Sequence, residues 1–181
     1  MCRNKLGAPT TPSVVSFQRV EGGKEGDVKI LVGEDAVAQA ELNPNNTYAS
    51  VKRLIGRSIT EASGSVADVS QLKLLVAGDT DKSSLRVECD ALGRSLAPEE
   101  ISCHIIRTLL QDVERHFGGE KVTRAVITVP AYFNDKQRRA TEAAGLLAGL
   151  ERVKLLREPE VLKRKLLCEY KSANTDAKGA L

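Results

Sequence analysis

Apolar positions along the chain follow three rhythms. In the first third they stand in short β-branched runs, "PSVVSF" and "DVKILVG", separated by the Gly-rich, charged stretch "QRVEGGKEGD". That pattern predicts two strands joined as a hairpin. "EDAVAQAELN" reads as a short helix with small apolar residues. "NPNNT" is a turn, and Thr47 is placed to cap a helix over "YASVKRLIG" that Gly56 ends. Residues 58–70 are small and polar and read as loop. "LKLLVAG" and "SLRVECDAL" then predict two strands, with "DTDKSS" as the turn between them.

The second rhythm is helical. In "APEEISCHIIRTLLQDVERHFGG", Ile101, Ile105, Leu109, Val113 and Phe117 recur every four residues, and Ile106 and Leu110 widen the stripe. Pro98 suits the first helical position, Glu99 and Glu100 complement the positive end of the dipole, and Gly118 with Gly119 supplies the stop. Cys103 and His104 fall within this helix as packing or surface residues. The third rhythm is the near-continuous apolar run "RAVITVP", as in a strand covered on both faces. Asn134 with Gln137 forms a capping-box pattern for the next helix, whose small residues Ala140, Ala143, Ala144 and Gly145 suit close packing before Gly149. "ERVKLL" follows as a second strand. Residues 98–158 therefore predict helix, strand, helix, strand, with the two strands parallel.

Composition narrows the function classes. The chain has 181 residues, 3% aromatic residues and a net charge of +3. Few aromatics argue against stacking-based binding of single-stranded nucleic acid, and the dispersed cations read as solvated surface. Cys2, Cys89, Cys103 and Cys168 lack C-x-x-C spacing, and His104 and His116 stand apart from them, which argues against a zinc site. Scattered cysteines point to a reducing compartment rather than secretion. No apolar run is long enough for a membrane span, and the first residues hold no signal-peptide stretch.

Candidate chemistry gathers where the two parallel strands end. Pro130 closes the first, since its missing N–H breaks a ladder. Glu158 precedes Pro159 at the end of the second and is expected to stay extended. Ligands of open α/β sheets bind outside such carboxyl ends, so Pro130 and Glu158 face one potential crevice, with Arg138 about one helical turn behind. Taken one at a time, these residues have plainer readings. Lys52 is a solvated helix residue, Glu158 a helix-start acid, Pro130 a strand terminator and Arg138 a surface arginine beside Arg139.

Together the motifs resemble a family. "VTRAVITVPAYFNDKQRRAT", followed by "AAG", "AGL" and "LLREP", resembles the nucleotide-binding domain of DnaK-type heat-shock chaperones. "TTPSVVSF", "NPNNTYASVKRLIGR" and "LAPEEIS" resemble further segments of that domain in the same order. The likeness runs from about Gly7 to Pro159 and is weak between Ser58 and Leu96. It implies an α/β fold, part of an actin-like, ribonuclease-H-like ATPase lobe. A β-rich subdomain is expected in 1–97, a helix plus βαβ unit in 98–160 and a divergent basic tail in 161–181. It implies ATP and Mg²⁺ as cofactors, with Lys52 reaching the γ-phosphate and attacking water. Glu158 would order the metal and water network through water rather than by direct ligation. Pro130 and Arg138 would form a relay reporting nucleotide state, and Arg53 a contact across the cleft. Unfolded polypeptides, J-domain co-chaperones and nucleotide-exchange factors are the implied partners, in the cytoplasm or an organelle stroma or matrix, and "YASVKRLIGR" is faintly similar to bacterial or plastid members.

The sequence also departs from the family pattern. It opens at "MCRNKLGAPTTPS" without the family's Asp-Leu-Gly-Thr-Thr phosphate loop, and "EVLKRKLLCEYKSANTDAKGAL" stands where a Thr-Ala-Ala-Ala segment is expected. Neither the second lobe's phosphate loop nor the adenosine pocket is recognisable. The expectation is therefore a segment inactive as an ATPase by itself and marginally stable. A non-enzymatic remnant, a partner-binding module, and a piece of another actin-like ATPase or sugar kinase are the alternatives.

Overall fold

The computed structural model describes residues 2–20, 22, 27–58, 61, 74–76 and 85–160. The expected turn over 79–84, most of the 58–70 loop and the 161–181 tail lie outside the described residues.

The first hairpin forms as expected. β1 (Val14–Arg19) pairs antiparallel with β2 (Val28–Val32), in a register that sets Phe17 opposite Ile30. The other edge of β1 is taken by β3 (Thr47–Ala49), with Val15 opposite Tyr48. This corrects the expected capped helix over 48–56. Tyr48 is buried, and its hydroxyl donates to the Glu88 carbonyl at 2.6 Å, an anchor forty residues away that only a strand position reaches. The Thr47 hydroxyl lies 2.8 Å from both the Asn43 carbonyl and Ser16 Oγ, so it closes the preceding turn and caps no helix. The helix expected from Glu34 is also shorter. α1 (Glu34–Val37) is one turn long, and the chain continues in turns.

A second antiparallel sheet contains β4 (Leu74–Val76), β5 (Leu85–Cys89) and β6 (Arg94–Leu96), with β5 in the middle. The expected strand through Leu92 thus stops at Cys89 and turns back. α2 (Pro98–His116) starts at its proline. Glu100 ties that start to the sheet: its carboxylate accepts from the Ala97 N–H at 2.7 Å, from Arg94 at 2.8 Å and from Arg86 at 3.2 Å.

β7 (Arg124–Val129), α3 (Asp135–Leu147) and β8 (Arg152–Arg157) follow as expected, with β7 and β8 parallel and adjacent. The Asn134 side chain accepts from the Gln137 N–H at 2.9 Å while Gln137 Oε1 accepts from the Asn134 N–H at 3.1 Å, which completes the capping box. Two apolar clusters hold these layers. One joins Val15, Phe17, Tyr48, Val51, Leu54, Val87 and Leu96 to Ile101 of α2. The other joins Ile55, Val129, Phe133 and Ala144, with Ile106, Ala140 and Leu155 against it.

Candidate functional site at the strand ends

The parallel register sets Val129 opposite Arg157, so the chain leaves both strands side by side at Pro130 and Glu158. Pro130 ends β7 and its carbonyl accepts from the Phe133 N–H at 3.2 Å, forming the turn into α3. Glu158 does not stay extended as expected: residues 158–160 take helical backbone. A proline in a first helical turn is tolerated, because its absent N–H would lack an intrahelical partner anyway.

Lys52 arrives from the other cluster. At the end of β3, Ser50 adopts φ 55°, ψ 29°, the only positive φ of a non-glycine residue among those described. This left-handed step turns the strand into a single 3₁₀ turn, Val51–Arg53, closed by Arg53 N–H to the Ser50 carbonyl at 3.0 Å and Leu54 N–H to the Val51 carbonyl at 2.9 Å. Lys52 therefore sits on one tight turn rather than on the expected helix. Val51 and Leu54 are buried in the first cluster and Ile55 in the second, so this turn rivets the two together. Lys52 and Arg53 point outward and are exposed.

Across 106 residues of sequence, Lys52 Nζ meets Glu158 Oε1 at 3.0 Å. Lys52 Nζ also lies 3.5 Å from the carbonyl of Thr128 in β7, at the limit of a hydrogen bond. Both side chains are about half exposed, 51% and 48%. A pair this wet contributes roughly 0–1 kcal/mol to stability. Its geometry leaves an ammonium and a carboxylate together at the mouth of the sheet, open to solvent and to an anionic ligand.

Arg138 stands elsewhere. It is half-buried on α3, and its side chain lines a cavity of about 710 Å³ with Asp135, Arg139, Glu142, Arg152 and Lys154. Neither Lys52 nor Glu158 lines that cavity. The structure thus joins Lys52, Glu158 and the end of β7, while Arg138 occupies the outer side of α3 and β8. Among the described residues no group of three or more His, Cys, Asp and Glu side chains gathers in a way that could hold a metal. No helix among them is long and apolar enough to cross a membrane.

Two contributors were not singled out in the sequence, the Thr128 carbonyl and the left-handed Ser50, since a main-chain carbonyl and a single turn residue carry no local signal.

The sequence of the chain is similar to those of known proteins. A family model described as Hsp70 protein matches residues 1–162. The chain is 47% identical over 156 residues to "Chaperone protein dnaK" of Cyanophora paradoxa, covering 86% of this chain and 23% of that protein. It is 46% identical to "Stromal 70 kDa heat shock-related protein, chloroplastic" of Pisum sativum over 86% of this chain and 20% of that protein. With "Heat shock 70 kDa protein 7, chloroplastic" of Arabidopsis thaliana it shares 43% identity over 95% of this chain and 22% of that protein. The chain therefore spans about a fifth to a quarter of the length of the curated relatives it matches.

Proposed function

The chain belongs to the Hsp70 family, and from that membership we propose that it carries the γ-phosphate side of an ATP site in a folding chaperone. The observation that supports this is the meeting of Lys52 and Glu158 at 3.0 Å outside the carboxyl ends of β7 and β8. A cation held there is suited to charge developing on a transferring phosphoryl group. A bound Mg-ATP supplies the phosphoryl group and the metal charge. Lys52 holds its ammonium toward the phosphate side, and Glu158, as a single protein carboxylate, suits hydrogen bonding to water around a metal better than caging the metal itself. Arg53 extends the positive edge of the turn. Pro130 and Arg138 bracket the first turn of α3, which supports their reading as a relay. Unfolded polypeptides, J-domain co-chaperones and nucleotide-exchange factors are the partners this reading assigns to the whole protein. A plastid stroma or the cytoplasm is its location.

Catalysis of phosphoryl transfer depends on positioning and preorganised charge, which two solvent-facing side chains do not supply alone. The 181 residues by themselves are therefore expected to show no ATP turnover and no tight nucleotide binding. Calorimetric titration with Mg-ATP tests this, and micromolar binding abolished by Lys52→Ala would overturn it. The site assignment is tested by replacing the matching segment of the Pisum sativum relative with this chain and then introducing Lys52→Ala or Glu158→Ala. Each is expected to lower turnover by about 10²–10³-fold with nucleotide still bound, as when one preorganised transition-state donor is lost. Unchanged turnover would refute the roles given to both side chains.

A further inference from the structure

We propose that Gly56 is the positioning residue of this site: by seating against the backbone at the start of α3, it sets where the Lys52 turn stands relative to Glu158. The inference rests on the phosphate-side reading of Lys52. The Lys52–Glu158 pair is half exposed and weak, and a lysine side chain is flexible, so the pair cannot fix its own geometry. The backbone of the turn must do it.

Three anchors hold that backbone. Val51 and Leu54 sink into the first cluster and Ile55 into the second. The third is Gly56, at φ +65°, where an added Cβ would lie 2.5 Å from Gln137 Cα, 2.7 Å from Gln137 N and 2.8 Å from Lys136 C. All three are main-chain atoms. They belong to the first turn of α3, which the Asn134–Gln137 capping box makes rigid. No side chain can rotate to relieve the overlap. Ordinary contact begins near 3.4 Å, so any residue with a Cβ at position 56 must back the 51–57 segment away from α3 by roughly 1 Å. A shift of that size displaces the Lys52 backbone, so its flexible side chain meets Glu158 in fewer of its conformations. Gly56 thereby links two features that are distant in sequence, the Lys52 turn and the start of α3, which Pro130 precedes by one turn of chain.

Proximity of the two side chains can be read without nucleotide. A water-soluble carbodiimide activates the Glu158 carboxylate as an O-acylisourea, and the Lys52 amine displaces the urea to form an amide. The yield of the Lys52–Glu158 crosslinked peptide, measured by mass spectrometry on folded protein, reports the pair. Gly56→Asn keeps a residue that tolerates positive φ but adds the Cβ, and is expected to lower the yield at least several-fold. Gly93→Ala is the control, since Gly93 has φ +63° and nothing within 4 Å of an added Cβ. It imposes the backbone strain without the overlap and should leave the yield unchanged. A yield in Gly56→Asn equal to that of the unaltered chain overturns the proposal. Should Gly56→Asn fail to fold, Ser50→Gly decides. It loosens the entry to the turn and leaves the Gly56 contact intact, so its yield should hold, and a loss would move the positioning role from Gly56 to Ser50. A negative crosslinking result leaves the phosphate-side reading of Lys52 standing, and a failed nucleotide test leaves the Gly56 contact standing.

Discussion

His104 lies half-buried on α2 with its ring edge-on to Phe17, the centroids 5.5 Å apart at 80°. Burial pushes its pKa below the ordinary histidine value, the nearby Arg107 pushes the same way, and Glu100 opposes them. The folded state thus holds a neutral imidazole that the unfolded chain would protonate near pH 6.5. Stability from this group is full above about pH 6.5 and is lost as pH falls through the lower folded value. Glu100 acts in a separate, more acid window. Its burial raises its pKa, but the Ala97 N–H, Arg94 and Arg86 outweigh burial and leave it lowered, so its contribution disappears only below the usual glutamate range. Urea unfolding at pH 7.5 and pH 5.5 should therefore show a drop in midpoint that His104→Gln abolishes. Retention of the whole drop in that variant would remove His104 as its source. At this scale the sequence was only partly legible. It placed Cys103 and His104 on the helix as packing or surface residues, and Cys103 is buried with its thiol pushed up by that burial. The roles given to Lys52 and Glu158 came from motif likeness, because an exposed lysine and an exposed glutamate carry no local signal that they will meet.

The elements of the second half were legible because their local and long-range demands agree. The cap at Asn134, the small-residue face and the stop at Gly149 all describe one helix, and the two apolar runs flank it as parallel strands. Other elements failed in instructive ways. A repeat of four residues advances about 400° around a helix, so it drifts about 40° per step. From Ile101 to Phe117 that drift carries the stripe well off the buried face, and Leu109 and Phe117 end up exposed while Asp112 is buried. The segment after Thr47 failed because Tyr48 is claimed by the core and by the Glu88 carbonyl, a tertiary demand that outweighs local helix preference. Gly145 offers a test of helix packing. In an exposed helix Ala would gain about 1 kcal/mol over Gly. Here the new Cβ would stand 2.6 Å from Val153 Cγ2 and 3.2 Å from Ile127 Cδ1. Both neighbours are β-branched and sit on strands, so neither yields easily. Overpacking of this kind costs about 1–3 kcal/mol, and the clash should outweigh the propensity gain. Gly145→Ala is expected to lower the unfolding free energy in a urea titration, and a stabilised variant would show that α3 lifts off the sheet at little cost.

At the scale of the molecule, the described residues form two centres of burial of unequal quality. The cluster around Tyr48 and Phe17 is closed on several sides by antiparallel sheets and α2. Among the described residues, the second centre rests on a sheet of two parallel strands. Parallel sheets are ordinarily covered on both faces, and a two-stranded ribbon alone is marginal in water. Here α3 packs on one side, while Val126 in the middle of β7 remains 56% exposed. Tyr132, Leu146 and Leu147 are also exposed around the same unit. Strand edges that have no partner among the described residues, beside exposed apolar side chains, favour pairing between chains, and a net charge of +3 on 181 residues provides little repulsion against it. The isolated chain is therefore expected to associate as concentration rises, with a weight-average mass above the monomer value in sedimentation equilibrium. Val126→Thr keeps a β-branched residue in the strand while reducing apolar exposure, so it should weaken association and leave the thermal midpoint close to that of the unaltered chain. A chain that stays monomeric across the concentration range would show that the β7–β8 unit already satisfies its edges. Association unchanged by Val126→Thr would place the contact on the leucines of α3 instead.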